Sequence, residues 1–258
     1  VNGVMTASGT AGLAANYGHL LDANGNPTAT VPPGQDTSHT PGTNADGTPM
    51  GLYTDQGATS GAFAGKVNFS GTGGVTLNGT NYTVVNELAE LAAAKNDPAG
   101  HYVLGSDIYG LTATSWEGAL ADTTAFTGAF NGFGHLVVLP ELTGSGLFGT
   151  IGSGAVVSNL GITAATVNAG STSKPAAGIL ANVNQGSIIN SFADGELKNT
   201  NIDSAGGLVG DNFGLIAQSY FQGKVFATKI AGGLVGTNEA GGRIIESAVR
   251  GPISNYHQ

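Results

Sequence analysis

Ala205-Gly206-Gly207-Leu208-Val209-Gly210 and Ala231-Gly232-Gly233-Leu234-Val235-Gly236 are one phrase written twice. The first leads into Ile216-Ala217-Gln218-Ser219-Tyr220 and then Gly223-Lys224-Val225. The second leads into Ile244-Ile245-Glu246-Ser247-Ala248 and then Gly251-Pro252-Ile253. Two weaker versions stand upstream. Ala177-Gly178-Ile179-Leu180 leads to Ile188-Ile189-Asn190-Ser191-Phe192 and Gly195-Glu196-Leu197. Gly146-Leu147-Phe148-Gly149 leads to Val156-Val157-Ser158-Asn159-Leu160. A recurrence of this kind decides the architecture before any single element does.

Asn159, Ser191, Ser219 and Ser247 align as one slot, with steps of 32, 28 and 28 residues. Leu147, Ile179, Leu208 and Leu234 align as a leading apolar slot, with steps of 32, 29 and 26. The step varies while the phrases persist, so extra residues belong in bulging corners. The apolar runs are short, β-branched or aromatic, and broken by Gly and Asn, which is strand-and-corner chemistry. One such unit cannot bury its own apolar face and must stack on its neighbours. The expected fold is therefore all-β: a right-handed parallel β-helix over 146–258, one coil per repeat. No capping pattern follows the final repeat, so further coils are expected beyond Gln258.

Composition supports order in the second half of the chain. Gly is 44 of 258 residues, against a usual ~7%, while charged residues are 10% against a usual ~25%. Disorder couples low hydrophobicity to high charge, and here 40% of residues are hydrophobic. The net charge of −9 with only 8 Lys and Arg argues against nucleic acid and against anionic membrane surfaces. No apolar run approaches the ~20 residues that span a bilayer, so no membrane insertion is expected. The absence of cysteine is compatible with export when a stacked core supplies the stability. The chain opens at Val1 without a basic and apolar leader, as a mature or excised segment would.

Residues 1–65 read as an irregular, loop-rich segment punctuated by Pro32-Pro33-Gly34, Pro41-Gly42 and Asp46-Gly47. Residues 66–145 read as a β-rich region. Within it, Val75 to Val85 predicts a hairpin about Asn78-Gly79. A short helix is expected over 86–96, N-capped by Asn86, with Glu87 and Glu90 in its first turn and Lys95 in its last. Leu88, Leu91 and Ala92 give it one apolar stripe, fit to cover the end of a β stack.

Phe126-Thr127-Gly128-Ala129-Phe130-Asn131-Gly132-Phe133-Gly134-His135, followed by the Gly-Leu-x-Gly phrases, resembles the GLUG-repeat segments of large secreted bacterial proteins. Most of these are filamentous-haemagglutinin-like adhesins exported by two-partner secretion, and some are IgA-peptidase-type surface proteins. The resemblance covers about residues 76–253 and does not reach 1–65. It implies a secreted or cell-surface location, an outer-membrane export partner, and a host or matrix glycan or protein as receptor. The first repeats depart from the pattern: Phe148 stands where Val recurs, and Leu180-Ala181 where Val-Gly recurs.

The candidate sites are few. Asp194 with Glu196, and Asp203 with Asp211, are the carboxylates a polysaccharide lyase or hydrolase would need, two within about 10 Å. Solvated corners account for them better, since residues two apart on a strand share a face whatever their function. Asp22, Asn24 and Asn26, and Asn44 with Asp46, alternate as Ca²⁺ ligands do, but Pro27 stands where a tight calcium loop needs Gly and no Glu closes either loop. His135 is expected to bond a backbone corner in preference to a metal. Neither a metal nor a cofactor is implied. Asn182, Asn212 and Asn238 recur after the Gly-Leu phrase as an amide ladder would. Among aromatics, Tyr53, Trp116, Tyr220 and Phe221 offer the nearest approach to a sugar-stacking surface. Tyr220 fits a core role better, in one slot with Phe192 and Leu160.

These readings favour a non-enzymatic adhesin segment, with recognition on residues 1–65 and the loop bearing Trp116. The rivals are a carbohydrate-active enzyme on a β-helix and a self-associating matrix or filament protein.

Overall fold

The computed structural model describes residues 5–7, 12–16, 66–70, 74–110, 116–117, 120, 124–144, 146–168, 176–198, 203–227, 229–251 and 253–255. The chain winds into a β-solenoid of about four turns, with a single short α-helix among the described residues. One face stacks His101–Leu104, Ala129–Asn131, Val156–Ser158, Ser187–Ile189, Leu215–Ala217 and Arg243–Ile245, each parallel to the next. A second face stacks Ile108–Tyr109, Leu136–Thr143, Gly161–Asn168, Phe192–Lys198, Tyr220–Ala227 and Ala248–Arg250. Two shorter faces close each coil. One carries Phe148–Ile151, Ala181–Asn184, Val209–Asn212 and Val235–Asn238; the other carries Ala176–Gly178, Ser204–Gly206 and Ile230–Gly232.

The leading apolar slot points inward as expected. Leu147 and Leu208 are fully buried and Leu234 is 8% exposed. Register corrects one member. Gly178 pairs with Gly206 and Ala181 with Val209, which sets Leu180, not Ile179, opposite Leu208. Ile179 is also buried, one position earlier. A continuous core runs from Val85 and Leu91 through Phe130, Phe148 and Ile188 to Leu234. It crosses residue 145 without a break, so the coils begin well before Gly146.

Glycine makes the tight corner possible. A Cβ at Gly206 would lie 1.9 Å from the Val209 carbonyl oxygen, so only a residue without a side chain allows the strand to fold back there.

The hairpin over Val75 to Val85 forms as predicted. Gly74–Leu77 pairs antiparallel with Thr80–Val85, and Asn78 and Gly79 take φ of 48° and 81°. This is the two-residue turn whose twist matches the strands. Helix α1 spans Leu88–Ala93 and runs on into a 3-10 turn at Ala94–Asn96. Its start differs from expectation. Glu87, not Asn86, flanks the first turn, and no side chain caps it. Instead the Asn86 N–H donates to Glu90 Oε2 at 2.6 Å, a reach-back that ties down the approach to the helix. The helix joins Thr80–Val85 to His101–Leu104, and Leu91 enters the common core with Leu88 and Ala92 packed beside it.

Outside this core, Lys66–Ser70 lies across the first coils. Val67, Phe69, Val75, Val84, Val103 and Phe133 form a second, smaller cluster there. Gly12–Asn16 pairs antiparallel with Lys66–Ser70.

Candidate functional site

Three side-chain ladders run along the stack, and each begins in the repeat phrase. In the first, Asn184 Nδ2 donates to Asn212 Oδ1 at 2.8 Å, and Asn212 Nδ2 donates to Asn238 Oδ1 at 2.7 Å. The sequence placed Asn182 in this ladder. Two residues separate it from the true member, and Asn182 Oδ1 instead accepts from Gly146 N–H. In the second ladder, Asn159 Nδ2 donates to Asn131 Oδ1 and Asn190 Nδ2 donates to Asn159 Oδ1. Asn159, Asn190, Gln218 and Glu246 all take positive φ near 50°. Asn159 thus belongs with Asn190, one residue before the serine slot in which the sequence alignment put it.

The third ladder is serine. Ser191 Oγ accepts from Leu160 N–H, Ser219 Oγ from Ser191 N–H, and Ser247 Oγ from Ser219 N–H. Each hydroxyl donates to the carbonyl two residues back. A hydroxyl fits because it accepts from one coil while donating within its own. The Leu160, Ser191 and Ser219 amides at this corner are thereby satisfied.

The aromatic candidates divide. Tyr220 and Phe221 are buried, so neither offers a face to a sugar. Tyr220 stacks on Phe192 at 4.9 Å and 10°, with the Arg250 guanidinium 5.9 Å from its ring centroid. Leu160 is not in that row: Phe192 is in register with Gly161. Trp116 stands in a two-residue strand in backbone register with Leu142. Tyr53 lies outside the described residues, as do Asp22, Asn24, Asn26, Asn44 and Asp46. Among the described residues the exposed large apolar side chains are Tyr109, Val156, Phe213 and, on the final coil, Ile230, Ile244, Ile245 and Val249.

The two candidate carboxylate pairs stand on different faces of the coil. Asp194 and Glu196 share the strand Phe192–Lys198, where Glu196 lies 3.5 Å from Lys198 Nζ. Asp211 is on Val209–Asn212, and exposed Asp203 pairs with Lys229. Burial pushes Asp194 above the ordinary carboxylate range. Burial also raises Asp211, helped by the charge of Asp203 and opposed by hydrogen bonds from Ser204 and Thr237. No group of three His, Cys, Asp or Glu side chains suited to a metal occurs among the described residues.

The densest polar cluster lies in the motif of Gly132 to His135. Asp107 accepts from Lys66 Nζ at 2.6 and 2.8 Å, from Leu136 N–H at 3.0 Å, and faces His135 Nδ1 at 3.1 Å. Burial opposes its charge, but the hydrogen bonds from His135, Lys66 and Leu136 outweigh burial and hold the carboxyl well below its ordinary range. His135 Nε2 lies 2.8 Å from the Val67 carbonyl oxygen. The partner is backbone, as expected, but it belongs to the strand Lys66–Ser70 and not to a corner. No motif or period links Asp107 to Lys66, 41 residues apart, so their meeting beside His135 could not be read from the chain.

About half of the chain aligns with Halomucin from Haloquadratum walsbyi. The two are 33% identical over 144 residues, which cover 49% of this chain and 2% of that protein. The chain thus matches a very small part of a much longer relative. No protein-family model matches the chain, and no solved structure matches it significantly. The fold and this match are compatible with a stalk-like segment of a secreted or surface protein. Among the described residues no helix is long and apolar enough to cross a membrane.

Proposed function

We propose that this chain is a non-enzymatic segment of a secreted or cell-surface adhesin. It acts as a stiff rod that carries recognition loops outward and presents them in multiple copies to a host or matrix glycan or protein. The observation that carries this reading is the continuous core from Val85 to Leu234, stitched coil to coil by the asparagine and serine ladders. Such a stack resists bending because each coil is bonded to both neighbours along several faces. The match to part of a long protein named as a mucin supports a surface location. Export through an outer-membrane partner, in a GLUG-repeat adhesin of the filamentous-haemagglutinin type, is the finer form of the proposal.

Two measurements test it. Fractionation of the source cells should place the protein outside the cytoplasm. The purified chain should bind a discrete set of glycans or matrix proteins on arrays. Release of reducing ends from a polysaccharide, lost on Asp194→Ala or Asp203→Ala, would replace this reading with the enzymatic one. Concentration-dependent filaments with no array binding would favour the matrix protein.

A further inference from the structure

We propose that Asn78 and Asn81 are acceptors for N-linked glycan, attached to the folded chain once it is outside the cytoplasm. The inference rests on the secreted or surface location proposed above. Three asparagines of this chain have Ser or Thr two residues on with no proline between: Asn68 with Ser70, Asn78 with Thr80, and Asn81 with Thr83. That spacing is what glycan-transferring enzymes read. None of the three lies in the repeats. There Asn159, Asn190, Asn184, Asn212 and Asn238 serve the ladders, and none has a hydroxyl residue at that distance.

The structure separates the three. Asn78 opens the two-residue turn at φ 48°, and Asn78, Gly79 and Thr80 are all exposed. A Cβ built on Gly79 would meet nothing within 4 Å, so the tip stands in open space with room for a bulky polar addition. Asn81 and Thr83 follow on Thr80–Val85 and are exposed as well. Residues two apart on a strand share a face, so the carboxamide and the hydroxyl of this pair stand side by side. Tyr82, between them, turns the other way, against the smaller apolar cluster and 5.3 Å from the His101 ring. It fixes which side the pair presents. Thr76 Oγ1 donates to Asn81 Oδ1 at 2.8 Å, so this bond holds the carboxamide by its oxygen and not by the nitrogen that takes the sugar.

Asn68 differs. It lies in the middle of Lys66–Ser70, in register with Ala14 of Gly12–Asn16, between buried Val67 and Phe69. Its triplet runs through Phe69, so an enzyme could read it only after the strand had peeled off the apolar cluster. The folded chain therefore offers the hairpin pair and withholds Asn68. In the transfer, the asparagine carboxamide nitrogen bonds to the anomeric carbon of a sugar that the cell supplies as a glycosyl phosphate. The bond from that carbon to the phosphate oxygen breaks, the phosphate leaves with the electron pair, and the nitrogen gives up one proton.

The test is mass spectrometry of the chain recovered from the cells that produce it, with medium, surface and cytoplasm analysed separately. Trypsin releases Val67–Lys95 in one piece, carrying all three asparagines. In chain from outside the cytoplasm, fragmentation of this peptide should place saccharide on Asn78 and Asn81 and leave Asn68 bare. Thr80→Ala should remove the saccharide from Asn78, and Thr83→Ala from Asn81. Thr80→Ser and Thr83→Ser should keep it, because serine also supplies the hydroxyl. Chain found outside the cytoplasm with Asn78 and Asn81 both bare overturns the proposal and leaves the adhesin reading standing. Equal occupancy at Asn68 overturns it too, because exposure would then not decide acceptance. Chain found only in the cytoplasm overturns the surface location, and this proposal falls with it.

Discussion

Replacing Asn212 by alanine should destabilise the solenoid far more than the same change at Asn238, although both belong to one ladder. Asn212 is fully buried, whereas Asn238 lies on the exposed final coil. Asn212 makes three side-chain hydrogen bonds: it accepts from Asn184 Nδ2 and donates to Asn238 Oδ1 and the Gly214 carbonyl. Each is worth about 1 kcal/mol net, and a buried partner left unpaired costs about 1–3 kcal/mol more. Asn184 Nδ2 keeps the Leu215 carbonyl, and Asn238 Oδ1 is near solvent, so the penalties are partial. The expected cost is about 3–5 kcal/mol. At Asn238 water replaces the lost partners and the cost should stay near 1 kcal/mol. Asn212→Asp keeps the volume and removes a donor, which separates hydrogen bonding from packing. Its cost should match or exceed that of alanine, because a charge enters a dry site. Urea unfolding of the three variants, read by circular dichroism, measures the differences through the midpoint at constant slope. Equal costs at Asn212 and Asn238, or a neutral Asn212→Asp, would refute the view that the amide ladder stabilises the stack.

Other outcomes follow from the same geometry. Gly223→Ala should abolish cooperative folding or lower the melting temperature by many degrees, because a Cβ there would sit 1.9 Å from the Gly195 carbonyl oxygen at φ +139°. Leu208→Ala should cost about 2–5 kcal/mol in urea unfolding, since its fully buried side chain leaves a cavity between coils. Gln218→Asn should stabilise by about 0.5–1 kcal/mol, because asparagine tolerates φ 51° better than glutamine and can join the carboxamides of Asn159 and Asn190. Asp194→Asn should stabilise at pH 7 by less than about 1 kcal/mol, given its partial exposure. The sign follows from burial, which raises the folded-state pKa. The charged form is then the costly one, wild type recovers as pH falls through that value, and the advantage should vanish below about pH 4. Thermal melts from pH 7 to pH 3 check this.

The repeat was legible in the sequence because a buried slot admits few residues. Leu147, Leu208 and Leu234 recur where each coil turns its apolar side inward, and Ser191, Ser219 and Ser247 recur where a corner needs a hydroxyl. Register was legible only to within a residue or two. Ile179 and Leu180 are both apolar, Asn182 and Asn184 are both asparagine, and Asn159 precedes a leucine where later coils have serine. Chemistry alone does not rank such neighbours; backbone pairing does. The cluster at His135 was half legible. A histidine in a glycine-rich turn points to a backbone partner, but the Lys66–Asp107 contact joins segments that no periodicity relates. Helix α1 was visible from its alanines and leucines, while its start depended on a carboxylate reaching back rather than on a capping asparagine.

Coil length is not constant, and where the difference falls has a consequence for how such a chain can change. From Ala181 to Val209 is 28 residues and from Val209 to Val235 is 26, yet from Ile189 to Ala217 and from Ala217 to Ile245 both steps are 28. The two residues missing before Val235 are restored before Arg243, around Gly241 and Gly242. Corners therefore behave as expansion joints, absorbing insertions and deletions while the ladders keep their spacing. Foreign peptide grafted at a corner would be carried on the outside of a fixed frame, whereas one residue added within Val209–Asn212 would shift Asn212 off its partners Asn184 and Asn238.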